Sequence, residues 1–244
     1  MSESEAKQVL AKAGLEAPRE ILASSGQEAI SAAGDIGMPV VLKVASADIL
    51  HKSDSGCVKV GLADDEAVGL AFEQIMDAAA ASHPEAVVDG VLVQEMVSGG
   101  VETIVGVANR PPFGPVMAFG LGGVFVEVLK DITFRLAPID ETEALGMTQE
   151  IKGSAMLDGY RGQPAADRQT LAGVIALLSD LAVACHDQIE ELDINPLMVK
   201  GDRLVALDAL ITLRAENKAE TGEQDRPAPV NDMTAVLEPR SIAV

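Results

Sequence analysis

Three stretches of the 244-residue chain concentrate side chains able to handle phosphate and a divalent cation. Lys43 emerges from the apolar run Pro39, Val40, Val41 and Leu42 and is followed by Val44, so its ammonium needs an oppositely charged partner inside the fold. Two kinds of partner suit it: a carboxylate of this acidic chain, or a nucleotide phosphate. The segment ILHKSDSGCVKVGL, residues 49–62, sets His51, Lys52, Gly56 and Lys59 in or beside one loop. Cationic groups beside flexible backbone form a phosphate-handling arrangement. A histidine there can carry a phosphoryl group as a nucleophile, although a solvated loop histidine has the same signature.

The second stretch is a pair of apolar runs, ELDINPLMV at 191–199 and RLVALDALI at 203–211, joined by Lys200, Gly201 and Asp202. With Gly201 and Asp202 as a two-residue turn, Lys200 faces Arg203, and stepping back along both strands sets Asn195 opposite Asp208. Opposed residues on one antiparallel face hold their Cβ atoms about 5 Å apart, within the span of one small cation. Magnesium takes oxygen ligands, one or two from the protein and the rest from phosphate and water. Asp193 lies two residues back on the same face, while Ile194, Met198, Val205, Leu207 and Ile211 form an apolar face suited to a core. The three polar residues either hold an ion or face water. Pro196 requires an edge position or a bulge.

The third stretch, GPVMAFGLGGVFVEVLKDITFRLAPI at 114–139, combines Gly120, Gly122 and Gly123 with Glu127, Lys130 and Arg135. Glycines so dense permit either close backbone approach to a ligand or a tight bend between strands. The two other histidines, His83 before Pro84 and His186 after a helix, read as structural or exposed.

These residues must be held by elements whose ends are marked. Ser2 with Glu5, and Ser25 with Glu28, are capping boxes that open two helices, the first stopping near Gly14. The second runs into a buried strand at Val40, Val41 and Leu42. A strand at 57–62 and a helix at 64–81 complete a first lobe, residues 1–90. A second lobe, 91–214, offers strands at 91–97, 103–108, 116–119 and 124–128 with Gly and Pro turns, the pattern of an antiparallel sheet. Asp140 and Glu143 cap a short helix, and Leu171, Val174, Ile175, Leu178 and Leu181 place an apolar stripe on a helix at 167–184. Residues 215–236 have the polar, Pro-containing composition of a linker.

Bulk composition narrows the partners. Eighteen basic against 38 acidic residues give a net charge of −20, which repels nucleic acid and anionic lipid, so any phosphate must be met by local lysines and backbone amides. Two distant cysteines, Cys57 and Cys185, suggest neither a disulfide framework nor a metal site, and fit a reducing cytoplasm. No apolar run is long enough for a membrane span or signal peptide.

The segments GMPVVLKVASADILHKSDSGCVKVGL, VLVQEMVSGGVETIVGV, FGLGGVFVEVLKDITFRLAPID, EIKGSAMLDGYRG and ELDINPLMV resemble the ATP-grasp beta subunit of ADP-forming acetate–CoA ligases, in unbroken order over about 4–213. The ADP-forming acyl-CoA synthetases are the closer group and succinyl-CoA synthetase beta subunits a more distant one. The resemblance implies an α+β ATP-grasp fold whose two mainly antiparallel lobes grip ATP or ADP with Mg2+. It implies Lys43 on the phosphates, the Gly56 loop covering them, Gln94, Glu95 and Val97 in the adenine hinge, Glu102 on the ribose, and Asn195 with Asp208 on the metal. It further implies His51 as a mobile phosphohistidine, with Asp193 near its loop and Arg135 as a third catalytic candidate. Cys57 departs from the family, which more often has Gly there.

The implied reaction converts acyl-CoA, ADP and phosphate to acid, CoA and ATP. The implied partner is a CoA-binding alpha subunit or domain, in a hetero- or homo-oligomer. LEPRSIAV, residues 237–244, resembles the first strand of that domain, as in a fused protein. The competing reading is a regulatory ATP-grasp-like domain of a protein acetyltransferase-type fusion without ligase activity.

Overall fold

The computed structural model describes residues 1–12, 14–49, 52, 55–123, 128–159 and 164–214. His51, Glu127, most of the strand predicted at 124–128, the linker and the strand predicted at 237–244 lie outside these residues. Residues 1–213 form one compact unit built on two antiparallel sheets.

The chain opens with helix α1 (Glu3–Lys12), where the backbone N–H of Ser2 donates to Glu5 Oε2 at 2.8 Å and that of Glu5 to Ser2 Oγ at 3.3 Å, the reciprocal bonds of the predicted capping box. Next come β1 (Glu20–Ala23), α2 (Gly26–Ile36), β2 (Val40–Ala45), β3 (Val58–Leu62), α3 (Asp65–Ser82) and β4 (Gly90–Glu95). Their strands make a four-stranded sheet in the order β1-β4-β2-β3. Helices α2 and α3 cover one face, the small Ala29, Ala33 and Ala71 together with Val68 and Ile75 packing on Val40, Leu42, Val44 and Val93. An aromatic-poor chain thus closes its core by bringing helices near the sheet on alanines.

The second sheet comprises β5 (Val101–Arg110), β6 (Gly114–Leu121), β7 (Ile132–Leu136), β8 (Ile189–Lys200), β9 (Arg203–Ala206) and β10 (Ala209–Leu213). Its order is β10-β8-β5-β6-β7, with β9 paired to β8. Helices α4 (Glu141–Glu150) and α5 (Arg168–Ala184) lie over Val105, Phe119, Leu121 and Leu192. Leu171, Ile175 and Leu178 of the predicted stripe are fully buried there, and Val174 and Leu181 are partly so. Among the described residues no helix is long and apolar enough to cross a membrane.

The lobes differ from the sequence expectation at two points. The strand placed at the head of the second lobe is β4, which pairs with β1 and β2 inside the first sheet, so the change of sheet falls after Glu95 rather than at residue 90. Helix α1, expected to open the first lobe, instead buries Ala6 and Leu10 in the core of the second sheet. The same buried side of the helix also carries the charges of Glu3 and Lys7 to the first sheet, which makes it a tie between the two.

Gly120 settles one glycine motif. A Cβ on it would lie 2.5 Å from the Asp131 carbonyl oxygen of the neighbouring strand, so this glycine serves strand-to-strand approach.

Candidate functional site

Lys43 stands in the middle of β2 on the face turned away from α2 and α3, and only 7% of it is exposed. Its ammonium donates to Glu3 Oε1 at 3.2 Å and to the Leu207 carbonyl at 2.9 Å. Of the two partners the sequence allowed, a carboxylate therefore holds it here. Burial depresses its pKa, and Glu3 and Asp208 offset this only in part. The same Glu3 carboxylate accepts from Lys7 at 2.7 Å and from Lys52, so three lysines converge on one acid. Burial alone would raise the Glu3 carboxyl, but Lys43, Lys7 and Lys52 outweigh it and hold it far below the usual range. A cavity of about 160 Å³ opens beside Glu3, Ser46 and Lys52, and a smaller one of about 50 Å³ joins Lys52 to Asp208.

The carbonyl that Lys43 touches belongs to the corner between β9 and β10, where Asp208 stands. The predicted hairpin register holds: Lys200 pairs with Arg203 and Leu197 with Ala206, and beyond the corner Ile194 pairs with Ala209. Asn195 N–H donates to the Asp208 carbonyl at 3.2 Å, so the two residues face each other as expected. Against β5, however, the register shifts between Thr103 and Val105, opposite Asn195 and Pro196, and this is the bulge that Pro196 requires. The bulge switches the faces. Leu192 and Ile194 join the main core before it and Leu197 and Val199 after it, so Met198 and Val205 lie on the other side from the one the alternation assigned. Val205 is nevertheless buried, covered by the segment that bridges to it at Glu16.

Asp208 is half-buried and Asn195 exposed. Burial raises the Asp208 carboxyl, with Lys43 opposing. Among the described residues no three His, Cys, Asp or Glu side chains stand close enough to hold a metal alone. A carboxylate and a carboxamide in facing positions, one of them costly to keep ionised without a cation, fit magnesium whose remaining ligands are phosphate and water.

Asp193 borders a hollow of about 200 Å³ on the open face of the second sheet, beside Gly106, Arg110 and Phe134. Burial, then Glu191 and Asp208, push its carboxyl up to about 6. The folded chain therefore holds this proton more tightly than the unfolded chain does, and stability is lost as pH rises from 3.8 to about 6. Asp193→Asn is expected to stabilise the protein by about 1–2 kcal/mol at pH 7.5, with the gain vanishing near pH 4. Thermal unfolding at the two pH values checks this.

The other predicted residues divide. Gln94, in β4, is buried and its Oε1 accepts from Lys7 at 3.0 Å, so its side chain is tied into the Glu3 cluster. Glu95 ends β4, exchanging backbone and side-chain bonds with Arg19, and Val97 lies half-buried where the chain passes to the second sheet. Glu102 is exposed in β5, its carbonyl accepting from Gly122 N–H at 2.7 Å. Gly56 adopts φ 73°, a left-handed conformation that favours glycine, at the end of the loop leading to β3. Arg135 is not brought to the cluster: it lies on β7, three strands from β8, ion-paired with Glu143 and Glu150 of α4.

Sequence reasoning missed Glu3 and Lys7. Their signal was present, since positions 3, 7 and 10 lie on one helical face and set two charges in line with the buried Leu10.

Residues 1–213 match the family described as the ATP-grasp domain. The chain is 42% identical over 211 residues to the beta subunit of acetate–CoA ligase [ADP-forming] I of Pyrococcus furiosus, covering 86% of this chain and 90% of that one. It is 46% identical over 213 residues to 4-hydroxybutyrate–CoA ligase [ADP-forming] of Nitrosopumilus maritimus, covering 86% of this chain but 30% of that longer one. Its fold superposes with TM-score 0.82, at 38% identity over 88% of this chain and 93% of the other, on acetyl-coenzyme A synthetase 1 of Ca. Korarchaeum cryptofilum bound to coenzyme A and Ca-AMPCP. Another structure of that synthetase, with coenzyme A and Mg-AMPPCP, has its phosphohistidine segment pointing towards the nucleotide-binding site (TM-score 0.71, 36% identity over 87% and 93%).

Proposed function

The chain belongs to the ATP-grasp domain family, and on that premise we propose that it is the nucleotide-binding, phosphoryl-transferring part of an ADP-forming acid–CoA ligase. The observation that supports this most is the convergence of Lys43 and Lys52 on the corner where Asp208 faces Asn195, beside an open cavity. Such a corner meets a polyphosphate with two ammonium groups and two oxygen ligands while the rest of the surface repels it.

In this reading Lys43 and Lys52 neutralise the phosphate chain, the chain passing through Gln94, Glu95 and Val97 borders the purine, and Glu102 meets the ribose. Asn195 and Asp208 would hold Mg2+, which supplies charge neutralisation on the transferring group. In the direction that makes ATP, the phosphoryl group leaves a ring nitrogen of His51 for the terminal oxygen of ADP; the P–N bond breaks as the P–O bond forms. Acyl transfer belongs to a CoA-binding alpha subunit or domain, and His51 carries phosphate between the two sites, out of reach of hydrolysis. The cytoplasm, where ADP and CoA are available, is the proposed location.

Calorimetric titration of the chain with ATP tests the reading. Saturable binding is expected with magnesium, weakened about tenfold or more when magnesium is chelated. A chain that binds no ATP in either condition overturns it.

A further inference from the structure

We propose that Glu3 is a positioning residue for the phosphate-binding lysines: from the first turn of α1, its carboxylate fixes the ammonium groups of Lys43 and Lys52 beside Asp208. The inference rests on the nucleotide-binding reading and adds a residue to it.

The two carboxylate oxygens are divided. Oε1 accepts from Lys7 at 2.7 Å and Lys43 at 3.2 Å, and Oε2 accepts from Lys52. Glu3 is itself held in place, its side chain only 5% exposed. Lys7, one turn further along α1, also donates to Glu20 Oε2 at 2.9 Å and to Gln94 Oε1 at 3.0 Å, anchoring the pair to β1 and β4. Lys43 is fixed from the other side by the Leu207 carbonyl. Lys52 is different: it sits in a turn, outside any strand or helix, and a lysine side chain left free there has many rotamers to give up when a ligand binds. Glu3 removes that freedom before a ligand arrives.

A purely structural role explains this cluster poorly. Lys7, Lys43 and Lys52 against Glu3, Glu20 and Asp208 balance in charge, yet a buried ion cluster commonly holds a fold less well than apolar side chains of the same volume. The charges also border the cavities beside Lys52 and Asp208 rather than a closed core. What the arrangement does provide is two cations already desolvated and aimed, so an incoming polyphosphate meets less reorganisation. The same tie joins the phosphate lysines through Lys7 to Gln94, at the edge of the proposed purine hinge.

The test uses the 244-residue chain as wild type, Glu3→Gln and Glu3→Asp. Glutamine keeps the shape and one acceptor without the charge; aspartate keeps the charge but withdraws it by one methylene, and preserves folding should glutamine not. Affinities are measured for ATP and inorganic tripolyphosphate, both with magnesium, and for adenosine by ligand-observed NMR. Glu3→Gln is expected to weaken ATP and tripolyphosphate about tenfold or more, and Glu3→Asp several-fold, with adenosine within about twofold of wild type in both. Tighter ATP binding in Glu3→Gln would mark the carboxylate as a competitor of phosphate and overturn the proposal. Unchanged affinities overturn it also, as does equal loss of ATP and adenosine, the result of a merely structural role. Wild type that binds neither ATP nor tripolyphosphate sinks instead the nucleotide-binding reading itself, and the positioning role with it.

Discussion

Incubation of the chain with γ-labelled ATP and magnesium is expected to leave acid-labile, base-stable phosphate on the protein, and His51→Ala is expected to abolish it. A phosphoryl group on an imidazole nitrogen is lost in acid and survives base, which separates it from serine and aspartate esters. The chain has three histidines, so the assignment can be exhaustive. His83 is the C-terminal cap of α3, and the His186 ring lies 3.0 Å from the Val183 carbonyl at the end of α5; neither is near the lysine cluster in the chain. His51 precedes Lys52, whose ammonium is bound to Glu3 beside the Asp208 corner. A single carrier makes the effect close to all-or-none: labelling falls to background in His51→Ala and persists in His83→Ala and His186→Ala. Label retained without His51 would remove it from the mechanism, whatever the chain's affinity for ATP.

How much of this was legible in the sequence follows from how local each determinant is. The hairpin that opposes Asn195 and Asp208 depends on a two-residue turn and strict alternation, both visible in one stretch, and its register holds through four pairs on either side of the corner before shifting at Leu213. The caps at Ser25 and Asp140 were readable for the same reason, each accepting a bond from an amide three residues ahead. Alternation failed where a non-local partner intervened. The bulge at Pro196 depends on pairing with β5, about ninety residues away in sequence, and it reverses which side of β8 faces the core. Edge strand β1 has four residues and no alternation to speak of, and it exists because β4 offers it a partner. The ion cluster was least legible. Lys43 announced that it needed an anion, but only the packing of α1 between the sheets reveals that Glu3 supplies it.

Asp208→Asn is expected to cost the chain about a hundredfold in magnesium-dependent ATP affinity while leaving its unfolding midpoint at neutral pH unchanged or higher. The two halves have one cause. Burial raises the Asp208 carboxyl and Lys43 only partly opposes it, so the fold holds the protonated form more firmly than the unfolded chain does. Stability is therefore lost as pH rises through the folded-state value, and an asparagine, which never ionises, escapes that loss. The advantage should fade in acid, where wild-type Asp208 is protonated too. With a divalent ion and phosphate present the sign reverses, because the carboxylate that was costly alone now has a cation, and the carboxamide offers a neutral oxygen in its place. Calorimetry with and without chelator, and thermal unfolding of the unliganded variant across pH, read the two halves separately. A variant that keeps magnesium-dependent binding would show that Asp208 is not a metal ligand. One that loses binding together with stability would place the residue in the scaffold, as the partner that holds the Lys43 corner together.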